Sequence, residues 1–161
     1  MNYPVIDAPV TSRTPASSAA TACRRNAAWL GYAGLIPFVA LSVVGLFFAG
    51  DIQQQAHEAL IAYAAVIISF LGARHWYAAI YNNGSSATLA RMSFAVTPAL
   101  IGWIAVLLSP SYGMALVIAG LLMTCVADSR LKGLHSWYRV LRQRLTLVAT
   151  ASMTVAVFSQ L

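Results

Sequence analysis

Acidic side chains are what this chain has least of. Its 161 residues include four Asp and Glu in all, and charged residues make up 9% of the composition. A soluble domain carries about 25%. Paired-carboxylate chemistry has almost nothing to work with. There are two cysteines, Cys23 and Cys125, and no CxxC, HxxxH or ExxH spacing to hold a metal. A Ser-His-Asp signature, a phosphate-cradling glycine loop and a haem-attachment CxxCH are likewise missing. No catalytic, cofactor or metal residues are therefore expected.

Apolar residues fill the space that charge leaves. They account for 60% of the chain, with a mean hydropathy of +0.72. A chain this short cannot hide so much apolar surface from water, because small folds expose a large share of their area. Lipid must cover it. Five apolar segments divide the sequence, at about 28–49, 59–80, 92–108, 112–127 and 141–161. Each approximates the ~20 residues a helix needs to cross a bilayer core, and the fourth is short enough to need little tilt. The expected fold is an all-α integral membrane protein, a bundle of five transmembrane helices over 26–161. Pro37 and Pro98 fall inside segments one and three, where each removes a backbone donor and should kink its helix.

The gaps between segments alternate in charge. Arg13, Arg24 and Arg25 precede the first segment, and Arg74 and Arg91 surround the second gap. Arg130, Lys132, Arg139, Arg142 and Arg144 surround the fourth. The first and third gaps, 51–58 and 109–111, hold no Lys or Arg. Lys and Arg stay on the cytoplasmic side during insertion, which predicts a cytoplasmic N-terminus and a periplasmic C-terminus. The net charge of +6 is thereby read as a topology signal rather than a nucleic-acid footprint. Both cysteines fall on the reducing side, as free thiols.

Residues 1–25, with Pro4, Pro9 and Pro15 and a Ser/Thr-rich run, are read as a disordered cytoplasmic tail. Its composition also suits a mitochondrial transit peptide. A bacterial inner (plasma) membrane is the favoured location, with the mitochondrial inner membrane as the alternative.

Arg74-His75-Trp76 is the most unusual local string. Arg74 lies roughly 10 Å inside its helix end at ~1.5 Å rise per residue, where an ionisable group is a functional candidate by default. Arg74 can also snorkel to the headgroups, with Trp76 in the interfacial aromatic belt. His75 cannot snorkel far and should hydrogen-bond inside the bundle. Asp128, at the inner end of segment four, could pair with Arg74 or Arg130; the Arg74 pair would close the cytoplasmic end of the bundle. Cys125, Asp128, His75 and His135 share that side, but their spacing does not support a metal site.

Small residues recur every four positions at Ala65, Ser69 and Ala73, and again at Thr146, Thr150 and Thr154; Gly45 and Ala49 form another pair. Such stripes let helices approach closely. The threonines could instead line a polar path. Arg130–Arg144 reads as a basic amphipathic segment at the inner surface, in contact with anionic lipid headgroups. Gly133 should break its start and Ser136 should cap the helix that follows.

Several strings resemble one bacterial membrane-protein family defined only as a domain of unknown function, whose animal relative is the mitochondrial transmembrane protein sixty-nine. They are WLGYAGLIPF at 29–38, YAAVIISFLGARHW at 63–76, VTPAL at 96–100, Asp128, and SWYRVLR at 136–142 with Leu145-Thr146. They run in family order over about 28–150. The resemblance implies a small helical membrane bundle with no established activity. It carries over His75, Trp76, Pro37, Pro98 and Asp128 as shared positions. Arg74 departs from the family string, which has an apolar residue before His-Trp.

The expected function is that of a non-enzymatic accessory, assembly or stabilising component of a membrane complex, with a membrane-protein partner or a homo-oligomer as its contact. The alternative is a small oligomeric transporter or channel subunit, suggested by proline-broken helices, a buried histidine and the threonine stripe. A third reading, an intramembrane enzyme with His75 as base, lacks a second catalytic group.

Overall fold

The computed structural model describes residues 15–81, 88–130 and 135–159, and every element in them is an α-helix. These are α1 (Pro15–Ala33), α2 (Ile36–Phe47), α3 (Asp51–Tyr81), α4 (Thr88–Leu107), α5 (Pro110–Arg130) and α6 (Ser136–Phe158). The expected turn at 82–86 and the residues Leu131, Lys132, Gly133 and Leu134 lie outside the described residues.

The expected disordered tail is corrected from residue 15 onward: residues 15–25 are helical. Pro15 opens α1, where its missing N–H costs nothing. Ala16, Ala19, Ala20 and Ala22 follow, and alanine is the strongest helix former. Residues 1–14 lie outside the described residues.

Segment one is two helices rather than one. The chain turns at Gly34-Leu35, and Pro37 stands in the first turn of α2. Pro37 has no N–H to return to the carbonyl of Ala33, so the α ladder is interrupted just upstream. Leu35 N instead donates to Tyr32 O at 3.0 Å, a tighter turn. Pro98 behaves differently: α4 runs through it.

The polar stretch 51–58, expected as a loop, forms the first two turns of α3. Asp51 suits a helix N-terminus, where the dipole favours negative charge, and Gln, Ala and Glu are good helix formers. The reversal is confined to the residues before it, where Gly50 takes φ 68°, a conformation cheap only for glycine.

Among the described residues, four stretches are long and apolar enough to cross a membrane: Ser18–Phe47, Asp51–Tyr77, Leu89–Leu107 and Pro110–Arg130. The helix α6 is not among them, because Arg139, Arg142 and Arg144 dilute its first turns. Ser136 is its first helical residue; His135 occupies the cap position without a side-chain cap bond.

Helices α2, α3, α5 and α6 close a ring, each packed on its neighbours, and α4 lies against α3 and α5 from outside. The core holds Phe38, Leu60, Ile68, Met114, Leu121 and Met153. The exterior is as apolar as the interior: Phe47, Phe70, Leu89 and Tyr112 are among the most exposed side chains. Lipid, not water, suits that surface.

Of the small-residue stripe on α3, Ala65 is buried in the bundle, Ser69 is partly buried and Ala73 is exposed. A Cβ on Gly102 of α4 would stand 3.0 Å from the Cα of Ala65, so the two backbones nearly touch there. A Cβ on Gly72 would collide with the carbonyl oxygen of Ala95 and lie 3.3 Å from Pro98 Cγ. The α3–α4 pairing is the most extensive in the molecule. In the threonine stripe, Thr146 and Thr150 are buried while Thr154 is exposed. Thr150 and Thr154 donate to the carbonyls of Thr146 and Thr150, each at 2.8 Å. Those hydroxyls satisfy their own helix backbone.

Candidate functional site

Among the described residues, a polar cluster is buried at one end of the ring, between α3, α5 and α6. Asp128 projects there from the last turns of α5 and is 4% exposed. Arg142, near the start of α6, is 7% exposed. Its Nε donates to Asp128 Oδ2 at 3.1 Å. Its Nη1 donates to Thr146 Oγ1 at 2.7 Å, and its Nη2 to Thr124 Oγ1 at 3.1 Å. Thr124 passes its own proton back to Leu121 O at 2.9 Å. One guanidinium thus joins α6 to α5 through two directed bonds and is braced by a third to Thr146 of its own helix, the geometry for which arginine's rigid fork is suited.

His75 enters from α3 and is 6% exposed. Its Nε2 stands 3.1 Å from Asp128 Oδ1. The approach is off hydrogen-bond alignment, so these two atoms and Arg74 Nη1 meet electrostatically without a hydrogen bond. The edge of the His75 ring is set by Phe94 of α4, whose centroid lies 5.1 Å away. Asp128 is therefore held from two helices, α3 and α6, while α4 wedges the histidine.

The expected Arg74–Asp128 pair is present, as the longest of the three ion pairs at Asp128. Arg74 Nη1 lies 4.0 Å from Asp128 Oδ1, with its side chain 26% exposed. Its guanidinium is also stacked over Tyr138 at 4.4 Å, a cation–π contact. The principal partner is Arg142, expected only as a headgroup-facing residue. A signal for it existed: Arg142, Thr146 and Thr150 lie four residues apart on one face of α6. Arg130 is exposed and is not a partner of Asp128. Trp76 stays outside the cluster, 44% exposed on the bundle surface, and Pro98 is buried in the α3–α4 interface beside Gly72.

This geometry predicts unequal effects. Arg74→Gln should lower stability by less than Arg142→Gln, because its contact with Asp128 is longer, at 4.0 Å, and its side chain is partly exposed. Removing one member of a buried pair costs ~3–5 kcal/mol. Apparent melting temperatures in detergent measure the difference. Equal losses from Arg74→Gln and Arg142→Gln would contradict the ranking.

A second polar group closes the other end. Gln53 Nε2 donates to Gly45 O at 2.8 Å and to Ser159 O at 3.0 Å, tying the ends of α2 and α6 to α3. His57, expected in an outer loop, is 2% exposed, with Nε2 at 3.4 Å from Ser159 Oγ. Its ring fills the space where a Cβ on Gly45 would fall. Gln53, His57, Leu60 and Ala64 share the helical spacing of a buried face, which was the available sign. Both cysteines are free, Cys23 exposed and Cys125 partly buried. Among the described residues, no three His, Cys, Asp or Glu side chains converge as a metal group.

The sequence matches, over residues 23–158, the family described as "Protein of unknown function (DUF3429)". It is 36% identical over 133 residues to Transmembrane protein 69 of Xenopus tropicalis, covering 80% of this chain and 52% of that protein. The chain thus spans about half the length of that curated relative. No solved structure matches.

Proposed function

The chain belongs to that family, and we propose that it is a non-enzymatic accessory or stabilising component of a membrane complex, crossing the membrane five times. One observation carries this reading. The space beside Asp128, Cys125 and Arg142 is about 10 Å³, room for no more than a single water. Asp128 has no room for a substrate beside it, and the larger hollow that reaches Arg142 and Thr146 is otherwise walled by apolar side chains; the acid, histidine and arginine serve to hold helices together. The same packing counts against a conducting path, since the Thr150 and Thr154 hydroxyls are taken by their own helix.

On this reading α6 is the fifth span. Its buried arginine is neutralised by Asp128, which removes the main obstacle to placing it in lipid. The basic ends then face the cytoplasm and Gln53–Ser159 the periplasm of a bacterial inner membrane. A cysteine-free background tests the orientation with a membrane-impermeant maleimide on intact cells. Gln54→Cys should label from outside, and Arg139→Cys only after permeabilisation; the reverse pattern defeats it. For the role itself, purification in mild detergent should bring down a stoichiometric partner. Recovery of the chain alone after crosslinking in cells would argue decisively for another role.

A further inference from the structure

We propose that the junction of α1 and α6 seats one anionic phospholipid, with its phosphate between Arg24 and Arg144 and one acyl chain in the apolar slot beside them. The proposal rests on the membrane reading above. It begins from a packing defect. Within the bundle α1 packs appreciably only on α6, and there only over a short contact. That contact is at Gly31, where a Cβ would stand 2.8 Å from Leu145 Cδ1. Hollows flank it on both sides, and Leu141 lines both.

The first hollow measures about 480 Å³. Arg24 and Tyr32 line it from α1, and Ser136, Trp137 and Arg144 from α6; no acidic residue lines it. The Arg24 guanidinium stands 5.7 Å from the centre of the Trp137 ring, which holds the charge at the cavity rather than in solvent. Two guanidiniums, a hydroxyl and interfacial aromatics are the chemistry that receives a phosphodiester. The second hollow measures about 380 Å³ and is walled by Leu30, Gly34, Phe38, Phe70 and Leu121. Tyr138, Arg142 and Thr146 also line it, but most of its wall is apolar and suits a hydrocarbon chain. Both volumes fall in the ~300–1,000 Å³ range of small-molecule sites. A helix in lipid gains nothing from the hydrophobic effect and depends on close packing. With so few direct contacts, α1 is held to the bundle by what fills these two spaces.

The experiment is native mass spectrometry of the full chain released from nanodiscs of mixed phosphatidylglycerol and phosphatidylcholine. The wild type should retain one phosphatidylglycerol with a preference of about ten-fold or more, in line with two basic contacts. Arg24→Gln/Arg144→Gln should abolish the preference. Arg130→Gln/Arg139→Gln, which removes two exposed charges that line neither hollow, should preserve it. Equal loss in both pairs would reduce the effect to general surface charge and overturn the site. So would equal retention of the two lipids, or of neither, by the wild type. A chain that stays dispersed without detergent or lipid would instead defeat the membrane reading on which the site rests. Narrowing the slot with Ala27→Trp should lower retention while leaving the headgroup preference; unchanged retention would remove the acyl chain from the proposal.

Discussion

Arg142→Met is expected to destabilise the bundle by about 3–5 kcal/mol, the cost of stripping one member from a buried ion pair. The substitution keeps an unbranched apolar stem and removes all three of the directed bonds, to Asp128, Thr146 and Thr124. Asp128 would then sit 4% exposed with only the off-axis His75 and the distant Arg74 to balance it. The space beside Asp128 is about 10 Å³, room for no more than a single water to stand in for the lost partner. Unfolding in detergent, followed by apparent melting temperature or by SDS titration, reads the loss. Arg142→Lys should fall between wild type and Met, since one ammonium keeps the charge but cannot span three acceptors. Arg142→Met/Asp128→Leu should regain most of the stability, because a buried pair replaced by apolar residues of similar size is often neutral. A double variant as weak as the single would show that the pairing is not what Arg142 contributes.

Gly72→Val should be the most disruptive single change away from the charges. A Cβ at position 72 meets the carbonyl oxygen of Ala95 and the ring of Pro98. The carbonyl is backbone inside a helix and cannot swing aside, so α3 and α4 must separate along their most extensive interface. Overpacking typically costs ~1–3 kcal/mol, and with a backbone obstacle the upper end of that range is expected. The gain in helix propensity on leaving glycine, at most about 1 kcal/mol, offsets only part of it. Ala62→Val, on the exposed side of the same helix, serves as the control. Losses no greater than the control's would mean that the two helices do not approach as closely as described.

His75 and Asp128 were foreseeable as buried polar positions from rules that need no coordinates. A histidine cannot reach the headgroups from its place in α3, and a carboxylate at a helix end inside a basic region needs a cation. The choice of cation was not foreseeable. Arg74, Arg130 and Arg142 all lie toward the same end, and linear order favours none of them. Arg142 wins because α6 presents it on the same face as Thr146 and Thr150, against the face of α5 that carries Thr124 and Asp128. Arg74 loses because its own helix turns it toward Tyr138. The same limit explains His57. In the sequence it stands among glutamines beside Glu58 and looks like loop; in the structure the helix begins earlier and winds it into the gap left by Gly45.

What the sequence determined by itself is the solvent. A chain with 9% charged and 60% hydrophobic residues must be helical and must turn apolar surface outward, because no aqueous fold of this size could bury it. That follows from composition and spacing alone; the family comes from the resemblance of the strings at 29–38 and 63–76. The tertiary structure decided which charges meet. Partner choice among buried ions depends on distances of a few ångströms and on which face of a helix is turned inward. Those quantities are set only when α3, α5 and α6 pack, since the energy of a charge in a place without water is decided by its nearest neighbour.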